Sequence, residues 1–102
     1  MDLANLSEDL TAVSTHYADR YNIDQSDDWL MLKLQEELGE LTPAYLALTG
    51  RTRDRGRSAS EARSQFEDEL TDVIGHALLI AQRFEVDLDV AFSRKWLAYP
   101  SD

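Results

Sequence analysis

With 102 residues the chain has room for one domain of ordinary size, and the absence of cysteine excludes a disulfide scaffold, a thiol nucleophile and cysteine-held zinc or iron–sulfur centres. Ten basic against 20 acidic residues give a formal charge of −10, which argues against electrostatic binding to a nucleic acid polymer or an anionic membrane. A chain this short buries only about two-thirds of its unfolded surface, so self-association is the expected supplement. The opening residues, Met1 to Asn5, lack a basic segment ahead of an apolar core. The apolar run Val73 to Ala81 is interrupted by Gly75 and His76. Neither export nor a membrane span is therefore expected, and the cytoplasm is the expected compartment.

In chain order, Leu3, Leu6, Leu10, Val13 and Tyr17 recur at spacings of three and four and predict a first helix over 3–20. Ser26 or Asp27 can cap a second helix over 27–48, with the stripe Leu30, Leu34, Leu38, Leu41, Tyr45 and Leu48 and a stop at Gly50. Pro43 lies inside it and lacks the N–H for the Gly39 carbonyl, so a kink is expected there rather than a terminus. Residues 50–60 carry Arg51, Arg53, Arg55 and Arg57 without apolar period and read as a basic loop.

Ser60 and Glu61 open a third predicted helix, 61–84, with Phe66, Leu70, Val73, Ile74, Ala77, Ala81 and Phe84 on one side. Asp87 can cap a fourth over 87–98, carrying Leu88, Phe92, Trp96 and Tyr99. No strand-type alternation and no repeat is present, so residues 1–102 are expected to form a single all-α, four-helix bundle.

The chemistry-bearing pattern is acidic. Residues 33–40 read K-L-Q-E-E-L-G-E and residues 66–73 read F-E-D-E-L-T-D-V. At about 100° per residue, Glu37 and Glu40 fall on one flank of the second helix, and Glu69, Asp72 and His76 on one flank of the third. If the two helices are antiparallel neighbours, Glu40 lies about 14 Å below Thr49 and Glu69 about 12 Å past Glu61. Glu37 and Asp72 match likewise, at about 18 and 17 Å. Like charges at about 4 Å repel by roughly 4 kcal/mol at an effective dielectric of 20, so four facing carboxylates require protons, water or a cation between them. Oxygen-only ligands select Mg²⁺, Mn²⁺ or Ca²⁺. The other reading is a plain solvated acidic face, since glutamate is at home on any exposed helix. A di-iron site needs Glu-x-x-His pairs, and neither His16 nor His76 has a carboxylate three residues before it.

This ordered set resembles the MazG-like superfamily of all-α nucleoside triphosphate pyrophosphohydrolases. That family carries E-E-x-x-E on one helix and E-x-x-D on the next; here they stand as Glu36-Glu37-Leu38-Gly39-Glu40 and Glu69-Leu70-Thr71-Asp72, separated by residues 41–68. Val86-Asp87-Leu88-Asp89, Ala91-Phe92 and Lys95-Trp96 resemble the family's last helix, so the likeness spans roughly residues 28–97.

The resemblance implies Mg²⁺-dependent cleavage of a (deoxy)nucleoside triphosphate to monophosphate and pyrophosphate, a house-cleaning hydrolase with Mn²⁺ as a substitute ion. It implies Glu37, Glu40, Glu69 and Asp72 as metal ligands, Glu36 as a further ligand or the base that activates water, and Lys95 as a phosphate contact. Trp29 can stack on a base or belong to the core or a dimer contact. His76 can hydrogen-bond a ligand carboxylate or be half-buried without a role, and Lys33 reads as an ion-pair partner of Glu37. The expected assembly is a homodimer or a homotetramer built as a dimer of dimers. The alternative is a catalytically silent helical interaction module with a solvated acidic face.

Overall fold

The computed structural model describes residues 2–52 and 56–98, and among them every regular element is helical. α1 spans Leu3–Tyr21, α2 Asp27–Leu48, α3 Ala59–Arg83 and α4 Leu88–Phe92, the last continuing into a π-helical turn, Ser93–Leu97. Arg53, Arg55 and Tyr99 lie outside the described residues.

Each start has a side-chain cap. Asp2 accepts from the Ala4 N–H at 2.8 Å, Ser26 from Trp29 at 3.1 Å and Asp87 from Val90 at 3.2 Å. α3 begins two residues before the predicted start because Ser58, not Ser60, is its cap. The Ser58 hydroxyl accepts from the Glu61 N–H at 3.2 Å, while the Glu61 carboxylate accepts from the Ser58 N–H at 3.0 Å. These hydrogen bonds, the Ser58 backbone first, hold the Glu61 carboxyl below its ordinary range. α1 ends at Asn22 in the left-handed conformation, φ 55°, and the turn after α2 uses Gly50 at φ 73°. α2 runs through Pro43 without a terminus. The predicted fourth helix is instead one short α-helix followed by the π turn.

α3 is the central element. α2 packs along it as the antiparallel arm of a hairpin, α1 lies against another side, and α4 touches α1. Arg83 closes the open end of the hairpin by donating to the Asp27 carboxylate and to the Gln25 carbonyl, both at 2.8 Å. Gln25 in turn donates to the Ser14 hydroxyl at 2.8 Å, which ties the α1–α2 connection to α1.

The apolar stripe of α2 is rotated from the predicted one. Leu30, Glu37 and Ala44 are the buried positions, seven residues apart, whereas Leu38 and Tyr45 of the expected stripe are exposed. Small side chains recur where helices meet: Ala44 on α2, Ala62 and Ala81 on α3, Ala18 on α1. Val13, Tyr17, Leu70, Ile74, Phe84, Phe92 and Trp96, all expected in the core, are exposed too. A hairpin with one helix against it has fewer inward faces than its helices have apolar rows, and among the described residues no large side chain is completely buried. The radius of gyration, 16.5 Å, exceeds the about 13 Å of a compact domain of this length.

Candidate metal centre

The register of the hairpin brings two acidic segments together. Glu37 stands in the buried heptad row of α2, with Glu40 one turn on, and Glu69 faces them from α3. One carboxylate oxygen from each of the three lies within 4.8 Å of the others. Glu37 is 7% exposed, Glu69 is half-buried and Glu40 is open to solvent. Oε2 of Glu37 and Oε2 of Glu69 are buried without a hydrogen-bond partner. An unpaired buried acceptor costs about 1–3 kcal/mol, and more when charged, so two of them at one place constitute a demand for a donor or a cation.

Burial pushes the Glu37 carboxyl above its ordinary range, with the charges of Glu40 and Asp72 acting in the same direction and His76 and Lys33 opposing. Lys33 is the cation on the Glu36–Glu37 side, its Nζ at 3.2 Å from Glu36 Oε1 and 3.7 Å from Glu37 Oε1. Burial disfavours the Lys33 charge, yet the Glu36 hydrogen bond and the carboxylates Glu36, Glu37 and Glu40 outweigh it and raise its pKa. This pair partners only one oxygen of Glu37.

The remaining predicted residues sit as follows. Asp72 is exposed, one turn along α3 from Glu69, and stands outside the three-carboxylate group although its charge is felt at Glu37. Glu36 is exposed, paired with Lys33, and is not one of the three-carboxylate group. His76 bonds through Nδ1 to the backbone carbonyl of Asp72 at 2.8 Å, rather than to a carboxylate of the cluster. Acceptance by a carbonyl requires that Nδ1 carry the proton. Trp29 is half-buried in the first turn of α2, about 12 Å of helix rise from Glu37. Lys95 is exposed in the π turn.

Beside the cluster opens a cavity of ≈ 770 Å³ lined by Glu40, Pro43, Ala44, Thr52, Arg57, Gln65 and Glu69. Its volume is within the range of small-molecule sites. Gln65 and Thr52 escaped the sequence reading; the signal for Gln65 was its position one turn before Glu69. Arg57 is half-buried, and its Nη1 donates to Gln65 Oε1. Arg51 is engaged elsewhere, over the ring of Tyr45 at 5.5 Å. No family model, curated protein or solved structure matches this chain.

Proposed function

We propose that the α2–α3 hairpin is a divalent-cation site serving the hydrolysis of a nucleoside triphosphate to its monophosphate and pyrophosphate. The observation that carries this reading is the pair of buried, unpartnered oxygens on Glu37 and Glu69, within a group of three carboxylates that offers only hard oxygen donors. Glu37, Glu40 and Glu69 would hold Mg²⁺ or Mn²⁺, with Asp72 able to join by a side-chain rotation one turn along α3. A bound cation at this place offsets the phosphate charge, polarises phosphoryl oxygens and lowers the pKa of the attacking water.

The chain's own residues supply the rest. Glu37 is fixed by the helix packing around it, so its position does not depend on substrate. Lys33 holds Glu36 beside Glu37, its Nζ reaching both carboxylates. Glu36 is the exposed carboxylate available to accept a proton from water at the edge of the site. The cavity beside Glu40 and Glu69 receives the phosphate chain.

The assembly is proposed as a homodimer, or a pair of such dimers. The chain exposes 7877 Å², against roughly 5,800 Å² for a compact monomer of its mass. That difference exceeds the about 800 Å² per partner of an ordinary interface. The Tyr45–Phe66 ring contact, 6.5 Å between centroids, places the row Leu38–Tyr45 beside the row Phe66–Leu70–Ile74 on one side of the hairpin. No helix is long and apolar enough to cross a membrane.

The test is incubation with ribo-, deoxyribo- and modified nucleoside triphosphates in Mg²⁺ or in chelator, with products resolved by anion exchange. Monophosphate and pyrophosphate, lost on chelation, are expected. The exposed apolar rows favour the second reading, a helical interaction module; absence of turnover together with absence of metal-induced thermal stabilisation would select it.

A further inference from the structure

We infer that Arg57 is the anchor for the pyrophosphate end of the substrate, so that the phosphate chain lies across the cavity from Glu40 and Glu69 to the start of α3. This rests on the pyrophosphohydrolase reading of the carboxylates and gives that site a direction.

Three observations carry it. Arg57 and Glu69 both line the cavity of ≈ 770 Å³, so one guanidinium and one ligand carboxylate border the same space, and both also line a second of ≈ 500 Å³ that Glu61 and Asp68 share. Arg57 is half-buried and tethered through Nη1 to Gln65 Oε1, one turn before Glu69 on α3, which fixes its fork relative to the cluster. Among the described residues that line the larger cavity, Arg57 is the cationic one, beside the carboxylates Glu40 and Glu69. An anion entering a chain of charge −10 needs positive charge at both of its ends. A cation on the carboxylates serves the scissile end, and a planar guanidinium suits the distal phosphates, which it can bind through paired N–H donors. Thr52 and Gln65 add neutral hydrogen-bonding groups along the way.

The experiment titrates inorganic pyrophosphate into the intact protein by calorimetry, with and without Mg²⁺, for wild type, Arg57→Gln, Arg57→Lys and Arg63→Gln. Arg63 pairs with Glu67 on the exposed surface of α3, so its loss changes net charge equally without touching the cavity. Arg57→Gln is expected to weaken pyrophosphate binding about tenfold or more, Arg57→Lys less, and Arg63→Gln by no more than the charge change alone. Equal affinity in wild type and Arg57→Gln under both conditions overturns the assignment, as does an equal loss in Arg63→Gln. Melting curves identify a misfolded variant, and Arg57→Lys, which keeps the charge, then decides the case. Affinity that depends on Arg57 but not on Mg²⁺ would uphold the anchor while overturning the metal centre. The reverse pattern would overturn the anchor alone.

Discussion

Glu37 of α2 and Glu69 of α3 face each other across the hairpin, and each buries its Oε2 without a hydrogen-bond partner. At separations within 4.8 Å, two ionised carboxylates repel by at least about 3 kcal/mol at an effective dielectric of 20. The fold therefore holds together, by its apolar contacts, two groups that would separate if free to do so. The same arrangement predicts how the protein answers to mutation, protons and metal.

Replacing Glu37 by Gln removes a charge that burial and the carboxylates Glu40 and Asp72 oppose. The metal-free Glu37→Gln protein should melt on the order of 4 °C higher than wild type at pH 7, the shift expected for about 1 kcal/mol in a domain of this size. Mg²⁺ or Mn²⁺ should raise the melting temperature of wild type but not of the variant. Turnover should fall by more than the 10–100-fold typical of roughly one lost outer partner of a metal ligand. A variant that keeps wild-type turnover sinks the ligand assignment.

Asp72 supplies a separate check, because it stands outside the group of three. Asp72→Asn should weaken activity and cation affinity while leaving the unfolding free energy of the metal-free protein, from chemical denaturation, within about 0.5 kcal/mol of wild type. Wild-type cation affinity in this variant would confine the centre to Glu37, Glu40 and Glu69.

The pH dependence follows from the direction of the Glu37 shift. Its folded pKa is raised above the ordinary 4.5, so the folded state binds more protons than the unfolded state above that value. Its contribution is fully present below pH 4.5 and is lost as pH rises through the folded pKa. Glu61 has the opposite sign, its lowered pKa giving a contribution that is present above 4.5 and lost as pH falls through the folded value. Urea denaturation of wild type and Glu37→Gln in parallel, without metal, isolates the first. Relative to the variant, wild type should lose stability as pH rises from 4.5 through the raised folded pKa and level off beyond it, and a constant difference would contradict the burial argument.

The exposed rows predict the assembly. Light scattering after size exclusion should give at least a dimer, and Ile74→Glu should shift it toward monomer while keeping helical content. A native chain that elutes as a monomer at tens of micromolar, on the order expected to populate an ordinary interface, would remove the self-association reading.

Arg83 joins the α3 end to the start of α2 through Asp27 and Gln25. Arg83→Ala should cost about 1 kcal/mol in urea denaturation, the scale of an exposed ion pair supplemented by one charged hydrogen bond.

The helices themselves were determined locally. Caps at Ser26 and Asp87, the glycine stop at residue 50 and the three-and-four spacing of leucines are read along the chain, because they depend on contacts within one or two turns. Even the Ser58 start was written there, as S-x-x-E over residues 58–61. The level matching of Glu40 with Glu69 needed only helical rise and an antiparallel hairpin, and the three-carboxylate group accords with it. What the spacing could not decide was rotation about the helix axis. The row of Leu38 and Tyr45 competes with the row 30, 37 and 44, and apolarity alone prefers the first. Tertiary packing chose the second, in which Ala44 occupies a buried position, and this put Glu37 inside and Leu38 outside. The burial of one carboxylate, the orphaned oxygens and the cavity that Gln65 and Arg57 share with Glu69 are consequences of that choice. They depend on which faces meet, and that is a property of two helices together rather than of either sequence segment.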